Sequence, residues 1–337
     1  MSWRQFRIQA LVGALVLAAL AAYLISTGID IRDARTGYLA QCHATGATGD
    51  CADALARLVG DYRTRLLLLA GVLGLLPALV GMFWGAPLIA RELETGTHRL
   101  AWNQSVTRRR WLAVRLATVV LAAMLVAAVA SALLTWAASP VDAIAGDRFG
   151  TVNFGARDLS PIGQAALASL VGAVTGLFLR RTVPAMALTG VAVIAVLFVM
   201  PNLVRPHLMP ALHATRPMTA AAIDEAHGLG TLGSAPVVRG IEVPGAWVTA
   251  TSELLTADGR PLDPRAFDDC LMRAPKTGAT GTFGDISPCL AAHDLHLDIA
   301  YQPNDRFWRF QYLETALYLS VAALLAGFAL WRIRHRT

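Results

Sequence analysis

Apolar residues in this chain are bunched into runs of about twenty, and polar stretches rich in Arg or in Asp, Gly and Pro separate the runs. A helix of about 20 apolar residues crosses the roughly 30 Å hydrocarbon core of a bilayer. The pattern therefore predicts six membrane-spanning helices. They are Ile8–Ile25, Leu66–Ala90, Trp111–Trp136, Ser160–Leu179, Thr182–Met200 and Phe310–Leu330.

The first apolar run has a second interpretation. A basic start followed by an Ala-rich apolar stretch is also typical of a cleaved signal peptide. The run is long for a signal core, however, and further spans follow it. Composition supports a membrane protein, because 55% of the residues are hydrophobic and only 15% are charged, whereas soluble domains carry about 25% charged residues.

Arginine positions predict the orientation of the spans. If both termini lie on one side, that side holds 13 arginines and two acids, Glu92 and Glu94. The opposite side holds 16 positive and 20 negative charges. Positive charge in short loops marks the cytoplasm, so both termini are expected there. The net charge of +6 thus reflects membrane topology, and we expect no nucleic acid partner.

Three regions follow from these assignments. Residues 1–200 would hold spans one to five, with a cytoplasmic loop at 91–110, and residues 310–337 would form span six and a cytoplasmic tail. Residues 201–309 would form an extracellular domain of mixed structure, with a helical patch near Met218–Ala226 and strand-like pieces such as Trp247–Thr251. The predicted fold is an all-α polytopic membrane protein with this insertion before its last helix.

All four cysteines fall in loops that are expected outside, where disulfides persist. Of the three possible pairings, we favour the two local ones, Cys42–Cys51 and Cys270–Cys289. Four free buried thiols are the alternative.

A search for catalytic motifs finds no recognisable site. No glycine-rich phosphate-binding loop precedes Lys276, and neither a His-Glu-x-x-His pair nor a Gly-x-Ser-x-Gly turn occurs. His293 and His296 have helical spacing beside Asp294 and Asp298, but a solvated acidic surface explains them better than a metal site. The chain is thus expected not to be an enzyme.

The stretch Arg91–Arg110, RELETGTHRLAWNQSVTRRR, is a short polar interruption with many arginines. Arg91–Trp102 can form a short helix, with Glu92 and Glu94 near its start, where acids suit the helix dipole. Gly96 breaks this helix or sharpens a turn, and Asn103–Ser105 form a break and a new cap. Such a helix between two spans would be a lever that receives input from a partner. A loop that only fixes topology is the alternative.

This loop resembles the signature loop of ABC-2-type exporter permeases, the membrane subunits of ATP-binding-cassette transporters. The resemblance rests on Glu92-Leu93-Glu94-Thr95-Gly96-Thr97 and Ser105-Val106-Thr107-Arg108 after the second span. The ending YQPNDRFWRFQYLETALYL with its arginine tail is similar to actinobacterial-type members. The outer region before the last span is larger than a minimal family member needs.

The resemblance implies a coupling helix that docks on a separate ATPase subunit, which would bind the ATP and Mg; this chain would hold no cofactor. The implied contact residues are Arg91, Glu92, Leu93, Glu94, Thr95, Gly96, Thr97, Leu100, Trp102, Ser105, Thr107 and Arg108. A second permease copy, forming a homodimer in the lipid of the plasma membrane, and export of an amphipathic drug, antibiotic, lipid or peptide are also implied. The rivals are a non-transporting receptor or immunity protein with a ligand-binding ectodomain, and an integral membrane enzyme.

Overall fold

The structure is a computed structural model that describes residues 2–42, 51–96, 107–145, 148–226, 228–233, 235–241, 243, 245–272 and 282–335. The chain forms two compact units. Unit 1 comprises Met1–Arg205 and Trp308–Thr337, and unit 2 comprises Pro206–Phe307.

The described residues of unit 1 form helices joined by short turns. Its helices, numbered along the chain, are α1 (Ser2–Cys42), α2 (Cys51–Gly74), α3 (Leu76–Val80), α4 (Ala86–Glu94), α5 (Arg108–Ala145), α6 (Thr151–Ala156), α7 (Ser160–Leu179) and α8 (Thr182–Val199). A π-helical segment, Gly81–Gly85, joins α3 to α4, and a second one, Met200–Val204, follows α8. The last helix, α12 (Phe307–His335), begins at the end of unit 2.

Five helical stretches among the described residues are long and apolar enough to cross a membrane. They are Arg57–Glu94, Arg108–Ala143, Ser160–Leu179, Thr182–His207 and Asn304–Ile333. Large apolar side chains on their outer faces are exposed, such as Val183 at 76% and Leu324 at 73%. This exposure suits lipid as the surrounding solvent, and the five stretches contain the predicted spans two to six.

The first predicted span, Ile8–Ile25, lies within α1. The side chains of residues 2–14 and 16 lie outside the description, so its membrane crossing stays a prediction. The polar stretch between the first two predicted spans, Ser26 to Arg65, was expected as a loop and is largely helical. Helix α1 continues to Cys42 and α2 begins at Cys51, because both helices extend beyond the apolar segment that a bilayer requires.

Glycines bring the backbone of the α3–α4 region against α7. A Cβ atom on Gly81 would lie 2.7 Å from the Ala168 carbonyl oxygen, and one on Gly85 would lie 2.6 Å from that of Ser169. From the other side, a Cβ on Gly172 would lie 2.6 Å from the Ala86 nitrogen. Since no side chain fits, Gly81 and Gly85, spaced four residues apart, serve close packing of helices within the chain.

Unit 2 combines two small sheets with short helices. Its elements are β1 (Leu212–Pro217), α9 (Ala220–Asp224), β2 (Gly228–Leu232), β3 (Ala235–Arg239), β4 (Ala246–Thr251), α10 (Pro264–Leu271), α11 (Ile286–Ala291) and β5 (His296–Pro303). Strand β5 pairs antiparallel with both β1 and β4, and β2 pairs antiparallel with β3. Buried Ile223, Phe267, Leu290 and Leu297 form its core. The predicted helical patch and the Trp247–Thr251 strand are confirmed.

Both local disulfides are present. The Cα atoms of Cys42 and Cys51 are 5.5 Å apart, and those of Cys270 and Cys289 are 5.7 Å apart, within the usual range for a disulfide. The first joins the end of α1 to the start of α2. The second joins α10 to α11 within the core of unit 2.

The helical spacing assumed for the two histidines is wrong. Helix α11 ends at Ala291, before His293, whereas His296 is the first residue of β5. Asp298 accepts a hydrogen bond from the Thr215 hydroxyl at 2.8 Å. Within the described residues, no three His, Cys, Asp or Glu side chains come together as a metal site would need.

Replacing Cys270 with Ser in the full chain should destabilise unit 2 by about 2–4 kcal/mol, because the unfolded segment would lose its cross-link. Hydrogen exchange of the amides around buried Phe267 would measure this loss. Intact mass after alkylation supplies the control: the wild type should take up no label without reductant and four labels with it. Four labels without reductant would contradict both disulfides.

Candidate functional site

The candidate loop, Arg91–Arg110, starts within the last turn of α4. This helix continues from the second span and ends at Glu94, and Gly96 follows with a φ of +72°. The prediction of a helix starting at Arg91, with Glu92 and Glu94 near its amino end, is therefore wrong. Both acids lie at a carboxyl-terminal helix end, where the helix dipole disfavours negative charge. Their positions need stabilisation from elsewhere.

Partners on two other helices supply that stabilisation. The Arg115 guanidinium of α5 lies 2.8 Å from the Glu92 carboxylate. Glu94 Oε2 accepts hydrogen bonds from the Thr182 backbone N–H at 2.9 Å and from the Thr182 hydroxyl at 2.7 Å. Thr182 begins α8, whose own preceding residue offers no side-chain cap. Glu94 thus caps a helix that lies 88 positions further along the chain.

The far end of the loop begins at Thr107. Its hydroxyl oxygen accepts a hydrogen bond from the Arg110 N–H at 3.3 Å, and its carbonyl oxygen accepts one from the Trp111 N–H at 3.0 Å. Thr107 is therefore the cap of α5. The predicted cap at Asn103–Ser105 lies outside the described residues, as do the predicted contact residues Thr97, Leu100, Trp102 and Ser105. Among the described contact residues, Arg91 and Arg108 are exposed and Gly96 is half-buried.

The two ends of the loop are thus attached to three helices. Glu92 joins α4 to α5, Glu94 joins α4 to α8, and the glycine contacts described above join the same region to α7. The Arg115 side chain is 47% exposed, so the single ion pair contributes little to stability. Its effect is to hold the end of α4 against α5.

A second polar cluster lies at the other end of α8, and sequence analysis missed it. Arg205 is paired with Glu314 of α12, with Nε 2.7 Å from Oε2 and Nη2 3.1 Å from Oε1. Their side chains are 2% and 0% exposed. The guanidinium carbon also lies 3.9 Å from the centre of the Phe154 ring. The pair combines a two-point ion pair with a cation–π contact.

Neutral side chains complete this buried network. Glu314 Oε1 accepts hydrogen bonds from the Ser160 hydroxyl at 2.9 Å and the Tyr318 hydroxyl at 3.2 Å. Gln311 Oε1 accepts the Ser160 backbone N–H at 2.9 Å, and Gln164 donates to the Ser160 hydroxyl at 3.0 Å. The network therefore connects the start of α7 with the end of α8 and the first turns of α12.

One signal in the sequence points to this network. Gln311, Glu314 and Tyr318 are spaced three and four residues apart, which places them on one helix face. The predicted boundaries place Glu314 near the start of span six and Arg205 in the extracellular insertion. The pairing joins residues 109 positions apart, so no local pattern predicts it.

Replacing Glu94 with Ala should speed hydrogen exchange of the Thr182 amide several-fold, because that N–H loses its acceptor. Replacing Thr182 with Val removes only the hydroxyl bond, so the amide should stay protected. Exchange measured by mass spectrometry on the full chain would test both changes. A Glu253→Ala variant, which alters an acid in unit 2, is the control. Unchanged Thr182 exchange in Glu94→Ala would contradict the cap.

Replacing Arg205 with Met or Glu314 with Gln should each destabilise unit 1 by about 3–5 kcal/mol, because each leaves a buried charge unpaired. The double variant should cost clearly less than the sum of the two. Urea unfolding of the detergent-solubilised protein would measure the losses. Removing exposed Glu225, which pairs with Arg216 at 2.9 Å, should change little. Additive losses in the double variant would contradict the pairing.

Comparison with known proteins supplies the family. A sequence model of the family described as "ABC-2 membrane transporter related" matches residues 14–205. The match covers more than half of the chain and ends at the last residue of unit 1 before unit 2 begins. No curated protein and no solved structure gives a significant match. The chain belongs to the ABC-2 membrane transporter related family.

Proposed function

We propose that this chain is the permease subunit of an ABC exporter, and that a separate ATPase subunit docks on the loop that starts at α4. Family membership supports a membrane permease component that associates with an ABC ATPase. The observation that carries the docking position is the pair of acidic attachments, Glu92 to Arg115 and Glu94 to Thr182. They connect the end of α4 to two other helices, α5 and α8, so a force on the loop would reach both helices together.

The path of this force follows from the packing. Movement of the loop displaces the last turn of α4, which Glu94 connects to the first residue of α8. The α3–α4 region packs on α7 without intervening side chains at Gly81, Gly85 and Gly172. Dense packing transmits a displacement with little loss, since there are no voids to absorb it. ATP binding would shift the permease between states through contacts that differ between them.

The proposed orientation places both termini and the Arg91–Arg110 loop in the cytoplasm of a cell whose plasma membrane holds the protein. The arginine distribution supports it. Two disulfides agree with this arrangement, because the helix pair ends at Cys42–Cys51 and unit 2 contains Cys270–Cys289, and disulfides persist outside the cytoplasm. Unit 2 would then be the extracellular domain.

We further propose that two copies of the chain form the membrane pathway and that the cargo is amphipathic. A drug, antibiotic, lipid or peptide fits this description. The cargo would leave the cytoplasm at the expense of ATP hydrolysed by the partner subunit, which would also hold the Mg ion. These features follow the resemblance of the 92–108 segment to exporter permeases.

The test is co-purification with the ATPase and measurement of ATP hydrolysis by the complex. Replacing Glu92 and Glu94 together with Ala should lower permease-stimulated hydrolysis at least fivefold, the lower end of typical coupling between sites. Thr182→Val should leave ATPase association intact and still lower hydrolysis, because it weakens the link to α8 without altering the loop. Glu253→Ala is the matched control.

Unchanged association and hydrolysis in the double variant would contradict a coupling role for this loop. Absence of any ATPase with the wild-type protein would contradict transport altogether. That result would favour the non-transporting receptor or immunity protein.

A further inference from the structure

A cavity of about 370 Å³ lies between α1 and α5, away from the loop and from the Glu314 network. Six residues line it: Arg32, Arg35, Thr36, Ser139, Pro140 and Ala143. Its volume falls at the small end of the range for ligand sites. Two guanidinium groups make the lining positively charged, while the Thr36 and Ser139 hydroxyls already donate to the carbonyl oxygens of Asp33 and Trp136.

One wall of the cavity is built around Trp136. A Cβ atom on Gly28 would overlap the Trp136 ring, so the glycine lets this ring lie directly on the backbone of α1. Arg32, one turn later, stacks on the same ring with its guanidinium carbon 3.8 Å from the ring centre. It also donates to the carbonyl oxygens of Gly28 at 2.8 Å and Trp136 at 2.7 Å. These contacts hold the Arg32 guanidinium in one orientation.

Arg35 differs from Arg32 in having no bonding partner among the described residues. Its Nε–H group is buried and donates no hydrogen bond to any described residue. Leaving a buried donor unsatisfied costs free energy. A guanidinium offers five N–H donors in a planar fork that matches the oxygens of a phosphate. An anion in the cavity would satisfy them.

No carboxylate within the described residues neutralises this pair of cations. Asp142, one residue before the lining residue Ala143, is bound by Arg157, whose Nη1 lies 2.9 Å and 2.8 Å from its two carboxylate oxygens. The Asp33 backbone carbonyl, not its carboxylate, accepts the Thr36 hydroxyl at 2.8 Å. Among the residues that the structure describes, no carboxylate therefore forms an ion pair with Arg32 or Arg35.

The height of the cavity along α5 indicates where such an anion comes from. Trp111 and Trp136 lie on the same helix, separated by roughly 38 Å at the α-helical rise of 1.5 Å per residue. Tryptophans favour the two membrane interfaces, and a bilayer with its headgroups is about 40–45 Å thick. The cavity next to Trp136 thus lies at the headgroup level of the leaflet opposite to Trp111.

We infer that this cavity binds the phosphate group of an anionic membrane lipid. Arg35 donates to the phosphate oxygens, the stacked Arg32 adds a fixed positive charge, and the Ser139 hydroxyl lies beside it, 3.4 Å from Arg32 Nη2. Basic pockets between transmembrane helices bind anionic headgroups by the same chemistry. Free phosphate offers the same oxygens, so the test includes it separately.

The experiment titrates detergent-solubilised full-length protein with mixed micelles containing phosphatidylglycerol and follows the Tm by tryptophan fluorescence. A ligand that binds only the folded state raises the Tm in a concentration-dependent way. The lipid should raise the Tm of the wild type and of Arg65→Gln, which removes an exposed arginine of α2 outside the cavity. Arg35→Gln should need roughly tenfold more lipid, the change expected from losing charge-assisted hydrogen bonds. Ser139→Ala, a milder change, should show a smaller loss.

Two further titrations identify the source of the phosphate. Diacylglycerol, which has no phosphate, should have no Arg35-dependent effect. An Arg35-dependent shift with inorganic phosphate alone would support the site and assign it to a free anion. The inference is overturned if phosphatidylglycerol gives no shift, or if it shifts Arg35→Gln and Ser139→Ala at the same concentrations as the wild type.

Discussion

The contact between the α3–α4 region and α7 is the constraint on which the rest of unit 1 depends. Lipid tails are as apolar as leucine, so helices in a membrane gain little from burying apolar surface against one another. Close approach of backbones replaces that driving force. A Cβ atom at Gly176 would lie 2.7 Å from the Ala86 carbonyl oxygen, and Gly81, Gly85 and Gly172 are equally confined. The four glycines thereby let the α3–α4 region and α7 pack backbone against backbone.

The effect of the acidic contacts at the end of α4 depends on this packing. An isolated helix end with Glu92 and Glu94 in its last turn would be destabilised by its own dipole. Here the same carboxylates contact an arginine of α5 and the unsatisfied first N–H of α8. Each attachment is weak, but the helices they join are already in contact through α7. In the proposed coupling, a small shift of the end of α4 would therefore be shared with α5, α7 and α8.

Sequence patterns predicted the features that depend on composition and local spacing. The length of apolar runs located spans two to six, and cysteine positions indicated the disulfide pairing. The position of Glu92 and Glu94 within their helix was harder to predict, because a short polar run after a span does not reveal where the helix ends. Helix α4 continues through Arg91 since nothing before Thr95 interrupts its hydrogen bonds, and this reverses the end at which the acids lie. Whether the loop binds a partner stays a prediction.

The Arg205–Glu314 pair could not be predicted, because its two residues are 109 positions apart in the sequence and meet only in the folded chain. This separation also indicates what the pair does. Residues 206–307 are inserted between these two helices, and an insertion is tolerated when its two ends lie close together. The buried pair holds the ends of α8 and α12 together within unit 1. Within unit 2, hydrogen bonds join its first residues to its last ones. Gln302 donates to the Met209 carbonyl at 3.0 Å, and Arg306 donates to that of Pro210 at 2.8 Å. Each unit therefore fixes its own chain ends through contacts within that unit, and the match to the family model ends where the insertion begins.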